Sequence, residues 1–172
     1  KGNFRIYMKR LLAMILLLSM FLMLLSCEKK RYEYCEFGLR LTDDYKETDL
    51  SETFDKAYTN ERVLIGMNRM SFDACLENGI LPTHTPKKFA SIYRERVEQS
   101  DKTSELLEIG DVPFFTYKRM SDGIEYLYVM TFYASQYAYF VVTFISPNTG
   151  ENTLVAEFLG MANTMYFTYD LK

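Results

Sequence analysis

Two runs of sequence, Ile124 to Tyr133 ("IEYLYVMTFY") and Tyr137 to Ser146 ("YAYFVVTFIS"), are apolar or aromatic at odd and even positions alike. Only Ala134, Ser135 and Gln136 separate them. Successive side chains of a strand point to opposite faces, so a strand greasy at every position has both faces covered. A link this short makes the two runs antiparallel neighbours. The chain is therefore built around a central hairpin that needs cover above and below. A length of 172 residues with 48% hydrophobic and 25% charged composition suffices for one ordinary core.

The flanking sequence supplies strands of period two and helices of period three to four. Cys35, Phe37, Leu39 and Leu41 alternate with polar or small residues, which predicts a half-buried strand. The following "TDDYKETDLSE" reads as a polar loop, and a hairpin from Thr53 to Met70 is expected to close near Thr59 and Asn60. Ser71 precedes "FDACLENG" as an N-cap, so a short helix follows. Thr85 and Pro86 open a second helix with Phe89, Ile92, Tyr93 and Val97 on its inner face. Strands are predicted at Leu106 to Ile109 and Pro113 to Arg119, with a turn at Ser121-Asp122-Gly123 before the central hairpin. Pro147 ends that hairpin. A last helix, capped by Asn148 or Asn152, carries Leu154, Val155, Phe158, Leu159, Ala162 and Met165 on one stripe. The closing "YFTYDLK" fits a tail or a short edge strand. The expected fold class is α+β, an antiparallel sheet with helices on both faces.

The N-terminal segment has a different character. Leu11 to Leu25 is apolar except for Ser19, and basic Met8-Lys9-Arg10 precedes it. A spanning helix needs about 20 such residues, a signal-peptide core about 7 to 15. The natural start is expected at Met8, the first seven residues being an upstream extension. With Leu24-Leu25-Ser26-Cys27 closing the run, the segment resembles the signal and lipobox of bacterial lipoproteins. The resemblance implies cleavage between Ser26 and Cys27, diacylation of the Cys27 thiol, and an extracytoplasmic, lipid-anchored domain. Two acyl chains anchor stably where one binds only marginally. The organisation expected is residues 1–26 signal peptide, 27–34 lipidated cysteine and tether, and 35–172 a single globular domain. Lys29, Lys30 and Arg31 of the tether either meet anionic head groups, at about 1 kcal/mol each, or simply keep it solvated.

All 23 acidic residues follow Cys27, as do 16 of the 20 basic ones, a net charge of −7 for that part. A domain of that sign is repelled by phosphate backbones, so no nucleic-acid partner is expected. The acids Asp43, Asp44, Glu47, Asp49 and Glu52 lack the spacing and glycine of a calcium loop, and no metal site or cofactor is expected. The lone histidine, His84, sits in "LPTHTP" without a serine elbow, phosphate loop or paired ligand spacing, so no catalytic residue is assigned. Tyr133 and Tyr137, at a hairpin end, are candidates for an exposed patch. Cys35 and Cys75 form either a disulfide permitted outside the cytoplasm or two buried thiols.

The order of elements, with "EFGLRLTDDYKE", "SFDACLENG", "TPKKFASIYRERV" and "GDVPFFTYKRMSDGIEYLYVMTFYASQYAYFVVTFISPNTGE", is similar to the PsbP and Mog-type family over most of Tyr34 to Phe167. Gly110, Pro113, Phe115 and Tyr117 match its glycine-to-tyrosine strand. The resemblance implies an α/β/α sandwich that acts by binding other proteins, with no catalytic residue to carry over. The function expected is a membrane-anchored, non-enzymatic binding or accessory module for a cell-envelope protein. The alternative is a small-molecule receptor or hydrolase with a pocket between the sheet and the second helix.

Overall fold

A computed structural model describes the backbone of residues 34–170 and the side chains of residues 36–168. The chain order is β1 (Tyr34–Gly38), β2 (Lys46–Glu47), β3 (Lys56–Thr59), β4 (Leu64–Ser71), α1 (Phe72–Glu77), α2 (Pro86–Val97), β5 (Leu107–Ile109), β6 (Val112–Ser121), β7 (Ile124–Ala134), β8 (Ala138–Pro147), α3 (Glu151–Ala162) and β9 (Tyr166–Asp170). Residues Cys35–Thr168 form one compact unit. The fold is α+β, with a seven-stranded antiparallel sheet in the order β2-β3-β4-β8-β7-β6-β5.

β8 lies fourth in that order, where the greasy pattern requires it, and β7 beside it. Alternation splits their side chains between two cores. Leu127, Val129 and Tyr133 of β7 join Phe140, Val142 and Phe144 of β8 in one cluster, with Leu154, Phe158 and Leu159 of α3 and Phe37 of β1. Met130, Phe132, Tyr139 and Val141 join the other, with Cys75 of α1 and Phe89 and Ala90 of α2. Each central strand thus serves both clusters, the reason it has no polar face.

Local signals set several boundaries. Ser71 accepts from the Ala74 amide and Thr85 from the Lys88 amide, each closing an open helix start. Asp122 and Gly123 take positive φ, 52° and 79°, the pair that a two-residue type I′ hairpin demands. Gly66 lies under the Phe54 ring, which a Cβ would overlap.

Four expectations change. The polar loop contains β2, which pairs Lys46 with Thr59 and Glu47 with Tyr58. The hairpin strand starts at Lys56 and not Thr53, because residues 51–53 turn and Phe54 tucks against Gly66. Neither Asn148 nor Asn152 caps α3: the N-cap is Gly150 without a side-chain bond, Asn148 bonds Glu125 instead, and Asn152 lies inside the helix. The first strand does not join the main sheet, since β1 pairs with β9 in a separate two-stranded sheet.

Candidate functional site

Ser26 and Cys27 lie outside the described residues, as does the Cys35 side chain. Among the described residues no helix is long and apolar enough to cross a membrane. Cys75 is a buried free thiol whose Sγ donates to the Met70 carbonyl at 3.8 Å. Burial pushes that thiol up, against a smaller opposite effect of Arg96. It belongs to the cluster of α1 and α2, whereas Phe37 carries β1 into the cluster of α3.

His84 is half-buried, and its Nδ1 accepts from the Leu81 amide at 3.3 Å. The hydroxyl of Tyr139, a fully buried residue, is shared between the carbonyls of Leu81 at 2.7 Å and His84 at 2.6 Å. These bonds fold the loop between α1 and α2 onto the sheet, so His84 braces structure. Tyr133 is not a patch residue. It is 9% exposed, and its hydroxyl donates to the Ala162 carbonyl at 2.8 Å. Burial, first among the causes, raises its ionisation to about 12. No group of three or more His, Cys, Asp or Glu is arranged to hold a metal among the described residues. The space between the sheet and α2 is occupied by rings: Phe89 lies 4.6 Å from Tyr139 and 5.5 Å from Phe132, which stacks on Phe115 at 5.5 Å.

A cleft of about 760 Å³ is lined by Asp44, Lys46, Thr59, Asn60, Glu61 and Arg62. Its rim is a hydrogen-bonded loop. Asn60 Oδ1 accepts from the amides of Arg62 and Val63 at 2.9 and 2.8 Å, and its Nδ2 donates to Asp44 at 3.1 Å. Thr42 donates to the other Asp44 oxygen, and Thr59 donates its hydroxyl within the loop, to the carbonyls of Asn60 and Val63. The bond from Thr42, then that from Asn60, holds the Asp44 carboxyl below its usual range. Asp44 therefore stays ionised, yet only neutral donors satisfy it. Arg62 reaches Thr149 Oγ1 at 3.4 Å, a neutral partner. Among the described residues Lys46 and Glu61 make no side-chain bond, and none of the six ion pairs there involves a charge of this cleft. The cleft therefore presents both signs of charge to solvent.

The cleft has a definite place in the sheet. Phe37 packs 4.9 Å from Phe140, and its carbonyl accepts from Lys56 at 2.8 Å. Phe140 is opposite Arg69, toward the end where Ser71 meets Ala138. The chain then runs to Lys46, opposite Thr59, beside the end where Leu64 meets Ile145. Phe37 of β1 thus lies beside Phe140 and Lys56, three to five residues along the strands from the Leu64 end where the cleft opens, about 10 to 16 Å at about 3.3 Å per residue.

The sequence carried part of this. "TDDYKE" was legible as a polar loop, but that its acid would meet Asn60 depends on β2 pairing with β3, for which two exposed residues give no periodic signal.

No family model matches the sequence, and no curated protein matches it. Among solved structures, the fold is similar to that of LpqN, involved in cell envelope biogenesis of Mycobacterium tuberculosis, with a TM-score of 0.51 and 11% identity over 78% of this chain and 84% of that one. At that identity the likeness is one of fold: this chain shares an α+β architecture with LpqN.

Proposed function

We propose that this protein is an extracytoplasmic lipoprotein, cut between Ser26 and Cys27, acylated at Cys27, and acting as a non-enzymatic binding or accessory module for a cell-envelope protein. In this reading residues 1–26 are the signal, 27–34 the lipidated cysteine and tether, and 35–172 the working domain. The domain is an α/β/α sandwich of the PsbP-like kind, with α1 and α2 over one face and α3 over the other, as the separate composition of the two clusters suggests. The observation that carries the reading is the run Leu11 to Leu25, of signal-peptide length, closed by Leu24-Leu25-Ser26-Cys27 and followed by the charged tether Glu28 to Arg31. The involvement of LpqN in cell envelope biogenesis agrees with it.

A receptor or hydrolase with its pocket between the sheet and α2 is disfavoured by the rings packed there. The test is membrane partition with intact-mass analysis of the protein from cells. Wild type is expected in the detergent phase with the mass of the chain from Cys27 plus acyl chains. Cys27→Ala is expected to remain an uncut precursor without acyl mass. Mature-sized, detergent-partitioning Cys27→Ala protein overturns the proposal.

A further inference from the structure

We propose that two copies of this chain, anchored in one membrane, pair through β5, antiparallel about Glu108. The backbone of the edge comes first. β5 is a terminal strand of the sheet, and its Glu108 stands opposite Pro113 of β6. A bonded antiparallel pair takes an N–H from both residues and proline has none, so Glu108 and Pro113 are a non-bonded pair. The amide and carbonyl of Glu108 therefore point away from β6, along the open edge. A second copy of β5 laid antiparallel meets them with the carbonyl and amide of its own Glu108, two bonds related by a two-fold axis.

The side chains fit the same axis. It sets Leu107 opposite Ile109 of the second copy and Ile109 opposite its Leu107, two apolar pairs on one face. These side chains are 49% and 38% exposed in the single chain. On the other face each Glu108 brings its own counter-ion, Lys87 of α2 at 2.6 Å, so two acids meet across the axis together with two bases. The opposite edge of the sheet is of another kind: β2 presents Lys46 and Glu47, charges that resist pairing with a further strand.

Orientation names a second copy as the occupant. A two-fold axis of this kind stands normal to the sheet, so both copies turn the same face the same way. Phe37 of β1 lies in the cluster of α3, on the face where Leu107 and Ile109 stand opposite Phe114 and Val112. Both chains therefore enter their sheets from one side, as two chains anchored in one membrane must. The contact is short. Gly110, at φ 57°, turns the chain back after β5, and between Thr103, opposite Tyr117, and Leu107, opposite Phe114, one extra residue bulges it. A strand of three residues falls short of the roughly 1,000 Å² of a lasting dimer in solution, and confinement to a membrane plane supplies the missing affinity.

This inference rests on the lipid-anchored reading. The test is disulfide trapping in native membranes, with full-length Leu107→Cys and Ile109→Cys chains carrying different tags, expressed together and mildly oxidised. The axis sets these two residues about 4.5 Å apart between Cα atoms, within disulfide reach, whereas each lies beyond about 7 Å from its own counterpart. Mixed dimer is expected at about tenfold the yield of either variant alone or of Glu47→Cys chains, which expose a cysteine on the β2 edge. Wild type supplies the background from the native cysteines. Adding Glu108→Pro to both chains is expected to lower the yield about tenfold, since proline is tolerated where an edge N–H faces outward but cannot donate to the second copy. Its melting temperature reports that the fold is kept; if that variant does not fold, the register of the cross-links decides alone. Absence of mixed dimer, equal yield from Glu47→Cys, or a folded Glu108→Pro pair that cross-links undiminished overturns the proposal. Intact mass of the same sample reads the anchor separately. Acylated chains that do not cross-link overturn the pairing alone, and cross-linked chains without acyl mass overturn the anchor alone.

Discussion

At the scale of single residues, burial and partner decide what each titratable group does. Cys75 is enclosed by the cluster of α1 and α2 with its thiol pushed up, so it is expected to resist thiol reagents in the native protein and react once unfolded. Counting reactive thiols after unfolding without reductant also decides the pair with Cys35: mature protein in which both thiols react has no bridge. Asp101 is clamped by Arg119 at 2.5 Å and keeps 11% of its side-chain exposure. The bond from Arg119, first among the causes, lowers the Asp101 pKa. A carboxyl depressed in the folded state adds stability that is present above its unfolded value of about 3.9 and lost as pH falls through the folded value. Asp101→Asn is therefore expected to cost up to about 1 kcal/mol at neutral pH, the ceiling for a pair whose arginine is half exposed. The gap should narrow as pH falls below the unfolded value of about 3.9 and close once the folded carboxyl is protonated, when both proteins are unfolded by denaturant across a pH series. His84 shows what residue type alone conceals. Its sequence context shows no catalytic motif, but its bracing of the loop with Tyr139 joins residues far apart in sequence.

At the scale of elements, β7 and β8 hold the energy. Phe140 and Phe144 are fully buried, the former against Phe37 and Phe167, the latter stacked on Phe158 at 5.2 Å. Phe144→Ala is expected to cost about 3 to 5 kcal/mol, measured by denaturant unfolding; a loss below about 1 kcal/mol would show that the contact with α3 does not form. The helix starts were legible because Ser71, Thr85 and Pro86 act on their own neighbours. The start of α3 was not, because Asn148 is drawn to Glu125 across the sheet end, and no local pattern reports a competitor that distant.

At the scale of the whole molecule, the sheet predicts its own order of opening. Amides of β7 and β8 are paired on both edges and covered on both faces, so in hydrogen exchange they should open only with global unfolding. Those of β2 and β5, short strands at the two edges with every side chain exposed, should exchange first. Protection of β2 as strong as that of β8 would contradict the open edge. The sequence by itself determined the α+β class, the central antiparallel hairpin and two of the three helix starts. It could do so because periodicity, caps and a three-residue link act between neighbours in the chain. Only the tertiary structure decided that β1 leaves the main sheet to pair with β9, that the polar loop contributes an edge strand, and that Asp44, Lys46, Glu61 and Arg62 line one cleft. These depend on which distant segments meet once the two cores close. A strand of two residues or a charge on a loop has no period from which its partner can be read.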